Sequence, residues 1–559
     1  MRRIPWPLLA VLTLQSVASL SLVRSNTAFQ DEALYLWAGH LQISHWLHGT
    51  PIPAFPTYFS GAPVLYPPLG AVADSIGGLA GARILSLIFM LGATAFLWAL
   101  VRRHFGWRCA LFACSFFALL GVTLRLDAFA TYDAMSLFLL AASAWCAVRA
   151  AESNNTYGWM AAAVLALSLA NATKYASALF DPVVAGMLVA ASLQALPARR
   201  ALLRGAAFLG YVAGACAILL LIGGGEYLTG LLQTTLARTT GTTSASAVIA
   251  ETWRLSGILM AGAAAGVLLG IATKRTRAEI ALIAASACAA LLVPAEYLHL
   301  ASLTSLSKHL DFGMWFAAVA AGYAFDRLIE LLPARGLRIA ASAACAVALA
   351  TLVLLGSSQA RDLFRTWPNS TALVSRVASL LPQTRGPILA ENPSLLEYYL
   401  PQGREWERWS STCSIRIPQG VAISRSVGLC VPPSRYATFI HRGFFSSVIL
   451  LFGQRGGFDG AVTAALQANG HYHLDALVRY GHRKAAVWVY RPQSRFLSQS
   501  AYPTAPQITP LQELVNPTAR PKPILGPIAA GVGISGLLTV ALMLSIRLGW
   551  RRGRASLEL

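Results

Sequence analysis

Long apolar runs separated by short polar connectors dominate the chain. A bilayer core asks for about 20 predominantly apolar residues per helix. Runs that approach or meet that demand fall at 5–23, 79–101, 109–124, 132–150, 158–171, 175–196, 205–222, 255–273, 278–295, 311–331, 337–356 and 524–546. The pattern predicts a mainly α, polytopic membrane protein of about twelve transmembrane helices. The runs at 109–124 and 158–171 are short. The first run lacks a convincing small-residue cleavage site and more spans follow, so it is read as a helix and not as a signal peptide.

Residues 357–523 break this pattern. The stretch "GPILAENPSLLEYYL" places a strand-like apolar run before an amphipathic helix pattern, and "FSSVILLF" and "KAAVWVYRP" read as further strands. A small α/β domain over 357–500 is expected. Closely spaced prolines, Pro503 to Pro527, then favour an extended stalk over 501–523. Residues 524–559 supply the last helix and a basic tail, and 1–356 form the membrane core.

Composition agrees with a membrane protein: hydrophobic residues make up 56% of the 559 positions, charged residues 12%, and the mean hydropathy is +0.57. A net charge of +21 raises the question of nucleic acid. Such binding needs basic residues gathered on one surface, whereas here they fall between apolar runs. Most of them crowd alternate loops, among them Arg2, Arg3, Arg102, Arg103, Arg199, Arg200, Lys274, Arg275 and Arg551. By the positive-inside rule those loops and both termini are cytoplasmic, which leaves the loop 24–78 and residues 357–523 extracellular or periplasmic. Cys413 and Cys430 then share an oxidising compartment and could form one disulfide. High Ala and Arg usage suits a bacterial plasma membrane.

Charges near the membrane are costly, so those near the outer helix ends are weighed first. Asp31 and Glu32 sit in "FQDEALY", Arg125, Asp127 and Asp133 in "RLDAFATYDAMSLF", Lys174 in "NATKYA", and Lys308, His309 and Asp311 in "SKHLDFG". All are external on this topology, so carboxylates that could take a proton share one face with cations that could steady a phosphate. Plainer readings stand beside these. Asp31 and Glu32 suit the first turn of a surface helix beginning near Phe29, Arg125 and Lys174 suit snorkelling cations, and Lys308, His309 and Asp311 suit an interfacial salt-bridge group. His40, His45 and His48 lack convincing metal spacing, and no CxxC occurs. Trp37, Trp46, Tyr58 and Tyr66 could stack on a sugar or form an interfacial belt.

The order of one short helix, an acidic pair in "FQDEALY", then "GAPVLYPPLGAVAD", an acid at the outer start of the fourth helix and a lysine between the fifth and sixth resembles the GT-C superfamily of polyprenyl-phosphate-sugar glycosyltransferases. The likeness is to the branch of protein O-mannosyltransferases and the lipid A aminoarabinose transferase, and it reaches to about residue 330. It implies an inverting membrane glycosyltransferase. The donor is a polyprenyl-phosphate-linked sugar, mannose being the commoner in that branch, and the acceptor a hydroxyl on protein, lipid or cell-wall glycan. The resemblance puts the catalytic carboxylate on Asp31 with Glu32 as its acidic neighbour, donor-phosphate cations on Arg125 and Lys174, and a supporting acid on Asp133. Lys308 and His309 join the phosphate group by position. Cations facing the phosphate make a metal unnecessary, so no cofactor is expected. No β-trefoil insertion separates the membrane helices, which tells against the eukaryotic O-mannosyltransferase pattern. A secondary transporter and a non-catalytic scaffold are the alternatives, the first requiring charges near the midplane and paired halves.

Overall fold

The computed structural model describes residues 5–238, 240–332, 335–417, 421–424, 431–452 and 456–491. The expected stalk, the last helix and Cys430 lie outside the described residues. The described residues up to Tyr490 belong to one compact unit.

The chain begins with α1 (Trp6–Leu20) and α2 (Gln30–His48). The pair α3 (Tyr66–Phe105) and α4 (Trp107–Ala118) follows, then α5 (Gly121–Asp127), α6 (Tyr132–Glu152) and α7 (Thr156–Thr173). Next come α8 (Asp181–Ser192), α9 (Ala198–Gly223), α10 (Gly225–Thr234), α11 (Ala245–Ala272), α12 (Arg277–Ala289) and α13 (Leu292–Leu300). Finally α14 (Leu306–Glu330) and α15 (Arg335–Phe364) close the helical part.

Eleven of the twelve expected spans coincide with these helices, but the count of twelve is not reproduced by length and apolarity. Among the described residues six helical segments qualify, beginning at Tyr66, Tyr132, Tyr175, Ala198, Ala245 and Arg277. A seventh arises if α4 and α5, bent by 72°, are counted as one broken span. The run at 109–124 was expected as a single helix. It breaks at Leu119 and Leu120, where α15 crosses close enough that a side chain on Gly356 would meet the Leu119 carbonyl. The helix expected at 311–331, α14, is buried along most of its length, because α4, α11 and α12 surround it. Its Phe312, Trp315, Phe316 and Val319 are core residues.

Two backbone features shape the first external loop. The long helix α3 is interrupted at Gly77 and Gly78, the latter at φ 60° and ψ −160°, a conformation only glycine adopts without strain. The "YPPL" segment therefore opens a separate helical stretch ahead of the membrane run that starts near residue 79. Against it lies α2, which buries Ala33, Leu36, Trp37 and Leu41 at helical spacing. Gly39 lets the two backbones touch: a β-carbon there would lie 2.0 Å from the Pro67 carbonyl oxygen.

Residues 371–490 build the expected small α/β lobe. The helices α16 (Thr371–Leu380), α17 (Pro393–Tyr399), α18 (Pro433–His441) and α19 (Gly456–Ala468) flank a five-stranded sheet. Its strands are β1 (Ile388–Ala390), β2 (Trp409–Ser410), β5 (Ser447–Leu450), β6 (Tyr472–Tyr480) and β7 (Arg483–Tyr490), in the order β2-β1-β5-β7-β6. β1 runs parallel to both β2 and β5, while β7 runs antiparallel to β5 and β6. A separate ribbon joins β3 (Ser414–Ile417) to β4 (Val421–Ser424). Cys413 is disulfide-bonded.

The lobe is tied to the first loop by side chains. Trp37 Nε1 donates to the Gly403 carbonyl at 2.9 Å, Tyr398 to Asp74 at 2.6 Å, Trp406 to the Pro51 carbonyl at 3.0 Å, and the Ala28 N–H donates to Tyr399 at 2.7 Å.

Candidate active site

The acidic pair opens α2, as the helix dipole favours, and its two members have different surroundings. Glu32 is fully buried. One oxygen accepts from Arg83 Nη2 at 2.7 Å and from the Phe29 N–H at 2.9 Å, and the other accepts from Arg83 Nε and the Ala130 N–H, both at 2.8 Å. Arg83 also donates to the carbonyls of Val23 and Asn26. Of the expected acidic pair, Glu32 is thus the member with both oxygens engaged within the protein. These bonds join the start of α2 to α3 and to the loop at residue 130.

Asp31 is the partly exposed member. It accepts a hydrogen bond from Lys308 Nζ, in the first turn of α14. Lys308 is itself buried. A second ion pair lies alongside: Lys174, the residue capping α7, is 2.9 Å from Asp133 Oδ1 at the start of α6. His309 approaches the same Asp133 oxygen at 3.7 Å, and its other ring nitrogen is 2.7 Å from the Tyr297 hydroxyl. Arg125 donates to Ser307, the neighbour of Lys308, and lies over the Phe129 ring at 4.7 Å. The structure therefore gathers Asp31, Asp133, Lys174, Lys308 and His309 from four helices, with Arg125 at their edge. Asp311, one turn along α14, is taken up by Thr123 at 2.8 Å. Asp127 lies elsewhere, accepting from Gln15 and Ser19.

Sequence reasoning missed three groups here. Tyr132 lies beneath Lys174, whose Nζ is 4.8 Å from the ring centroid, and it accepts a hydrogen bond from Tyr35 at 2.6 Å. Ser60 completes the chain of hydroxyls. Tyr35 follows Asp31 by four residues on α2, and Tyr132 directly precedes Asp133. Helical spacing from Asp31 could have singled out Tyr35. Burial raises the Tyr35 hydroxyl well above its ordinary range, helped by Tyr132 and Asp31, so it stays a neutral donor.

Of the four aromatics in the first loop, Trp37 and Tyr66 are core residues, while Trp46 and Tyr58 are exposed. His40 pairs with Asp74 at 2.7 Å and His45 with the Thr50 carbonyl at 2.8 Å, so neither is placed as a metal ligand.

Comparisons with known proteins agree with this architecture. Residues 75–223 match the family model described as dolichyl-phosphate-mannose-protein mannosyltransferase. ArnT from Cupriavidus metallidurans bound to undecaprenyl phosphate superposes with a TM-score of 0.56 at 15% identity, covering 86% of this chain and 97% of that one. The apo state of the same protein gives 0.54 at the same identity and coverage. The archaeal oligosaccharyltransferase AglB from Archaeoglobus fulgidus, in complex with an inhibitory peptide and a dolichol-phosphate, gives 0.51 at 13% identity over 85% and 74%. No curated protein matches by sequence. The fold is that of the ArnT and AglB structures, and the protein is a multi-pass membrane protein.

Proposed function

We propose that the protein is an integral membrane glycosyltransferase that moves a sugar from a polyprenyl-phosphate donor to an acceptor hydroxyl with inversion. The observation that carries the reading is the Asp31–Lys308 pair beside the Lys174–Asp133 pair. A partly exposed carboxylate sits among cations at converging helix ends.

In this reaction the acceptor oxygen attacks the anomeric carbon while the bond from that carbon to the phosphate oxygen breaks. Asp31 accepts the acceptor's proton. The polyprenyl phosphate departs with the bonding electron pair, and Lys308, Lys174 and Arg125 balance its charge. In the resting site Lys308 and Asp31 neutralise each other. An arriving donor phosphate competes for Lys308, which frees the carboxylate only when there is a reaction for it to serve. His309, held by Tyr297, and Asp133 keep Lys174 in place. These cations supply the charge compensation for which a metal would otherwise serve.

Mannose is the donor sugar favoured by the description of the matching family model. Undecaprenyl phosphate in the ArnT structure supports a polyprenyl donor. We place the site and the α/β lobe on the extracellular or periplasmic face and both termini in the cytoplasm, from the basic loops. In this arrangement residues 1–356 are the catalytic core, 357–500 the external domain, 501–523 a stalk and 524–559 a last span with its tail.

The test is transfer of radiolabelled mannose from polyprenyl-phosphate mannose into a membrane extract, with purified parent and Asp31→Asn proteins. Transfer by the parent and its loss in a folded variant support the reading; equal transfer by both removes Asp31 from it.

A further inference from the structure

Lys174 sits where α7 stops, and its own backbone is extended there, at φ −147° and ψ 116°. A short helical turn, Tyr175–Phe180, follows and leads directly into α8. Lysine carries a point charge on a flexible stem, so the place where its backbone is held decides what its ammonium can reach.

A polar clasp spans this break in the chain. Asn171, in the last turn of α7, donates from Nδ2 to both carboxylate oxygens of Asp181, the first residue of α8, at 3.1 and 2.9 Å. Its Oδ1 accepts from the Ser177 hydroxyl at 2.6 Å. Asn171 thereby joins the end of α7 to the middle of the turn and to its far end. The Ser177 N–H in addition donates to the Lys174 carbonyl at 3.0 Å.

The first loop grips the same turn through backbone. The Ala62 N–H donates to the Ala172 carbonyl at 2.7 Å, and the Tyr175 N–H to the Ser60 carbonyl at 3.0 Å. Between them a β-carbon on Gly61 would lie 1.9 Å from the Thr173 carbonyl oxygen, so only glycine permits this approach. Ser60 also meets the Tyr132 hydroxyl, and Lys174 Nζ lies over the Tyr132 ring. Backbone bonds on one strand of the turn and the Asn171 clasp across it leave Lys174 little freedom, and its side chain is 2% exposed.

Asn171 and Ser177 are buried and Asp181 is half-buried. Apolar side chains would fill these places in a helical bundle without needing partners, whereas a polar set must be matched bond for bond. What the polar set adds is direction, which fixes the path of the chain between α7 and α8.

We propose that Asn171, Ser177 and Asp181 are positioning residues, whose clasp fixes the turn that presents Lys174 to the donor phosphate. The inference rests on the reading of Lys174 as a phosphate-binding cation.

The experiment measures binding of undecaprenyl phosphate to the full chain in detergent by calorimetry, with melting temperatures recorded alongside. Lys174→Ala should weaken binding roughly tenfold or more, and Asn171→Ala roughly three- to tenfold. The double variant should bind no worse than Lys174→Ala, because a clasp that acts through the lysine has nothing to act on once the lysine is gone. Asp181→Asn keeps an acceptor oxygen for Asn171 and should bind as the parent does, whereas Asp181→Ala should match Asn171→Ala. Ser177→Ala removes a single hydroxyl and carries the same comparison if Asn171→Ala does not fold. A role confined to stability would lower the melting temperature of these variants and leave the affinity of the folded protein at the parental value, which overturns the inference, as would additive losses in the double variant. Parental binding by Lys174→Ala would overturn the phosphate-binding reading of that lysine as well; loss with Lys174→Ala but none with the clasp variants overturns the clasp alone.

Discussion

Lys308 in the first turn of α14 holds Asp31 in the first turn of α2, across 277 residues of sequence. The pair couples the group proposed to take a proton to a group proposed to hold the phosphate, so the two halves should fail differently. Asp31→Asn keeps an acceptor for Lys308 but loses its basicity. It should lower kcat by roughly 10²- to 10⁴-fold with little change in the donor KM. Lys308→Gln should raise the donor KM as well as lower kcat, with kcat/KM falling roughly 10²- to 10³-fold. Steady-state kinetics with polyprenyl-phosphate mannose separates the two; identical profiles would refute the division of labour.

Glu32 and Arg83 should behave as one structural unit. Both are fully buried, and removing either strands the other's charge. Arg83→Ala or Glu32→Ala should cost about 3–5 kcal/mol of stability, visible as a lower melting temperature in detergent and poor recovery from membranes. Asp31→Asn should melt like the parent. A Glu32→Ala protein that is stable but inactive would return Glu32 to the chemistry.

Gly39→Ala tests how α2 is seated. The added methyl would meet the Pro67 carbonyl, which belongs to backbone and cannot swing aside. α2 must shift, and Asp31 is carried on it. A stability loss of about 1–3 kcal/mol and a fall in transfer rate are expected, measured by melting curves and initial rates. Gly49→Ala is the wrong control, because its φ of 67° strains any side chain. Gly210→Ala, where a β-carbon meets open space, is the right one.

Acidity should matter where the lobe meets the first loop. Glu397 is buried on α17, which packs against α2, and burial pushes it up to about 8, with Arg416 at 3.5 Å opposing the shift. An unfolded Glu titrates near about 4.3. Between those values the folded protein keeps a proton that the unfolded chain has lost, so stability falls as pH rises through the window and levels off above it. The slope should be at most about 1.4 kcal/mol per pH unit. Melting temperatures from pH 5 to 8.5 should decline more for the parent than for Glu397→Gln; parallel curves would show that Glu397 is ionised throughout.

Much of the fold was legible in the chain. Apolar runs located eleven helices because a bilayer demands long uninterrupted burial, and that demand is written in consecutive residues. The strands at 388–390, 447–450 and 483–490 were visible from short apolar blocks between turn residues. The strand Tyr472–Tyr480 was not, since "HYHLDALVRY" alternates weakly and is half exposed, and only its hairpin with β7 makes it a strand.

The candidate site divides the same way. Scarcity of charge in an apolar chain singled out Asp31, Asp133, Lys174, Lys308 and His309, because each charge kept near a membrane needs a reason. Which charges meet was not in the sequence. Asp31 and Glu32 are adjacent and alike, yet a step of about 100° around α2 sends one to Lys308 and the other to Arg83. Tyr132 and Ser60 carry no local signal that separates them from core or surface residues. Sequence by itself determined the class of solvent, the places of the apolar helices and the inventory of charges, since these depend on neighbours along the chain. Tertiary structure alone decided the pairings, which depend on groups tens to hundreds of residues apart coming within a few ångströms.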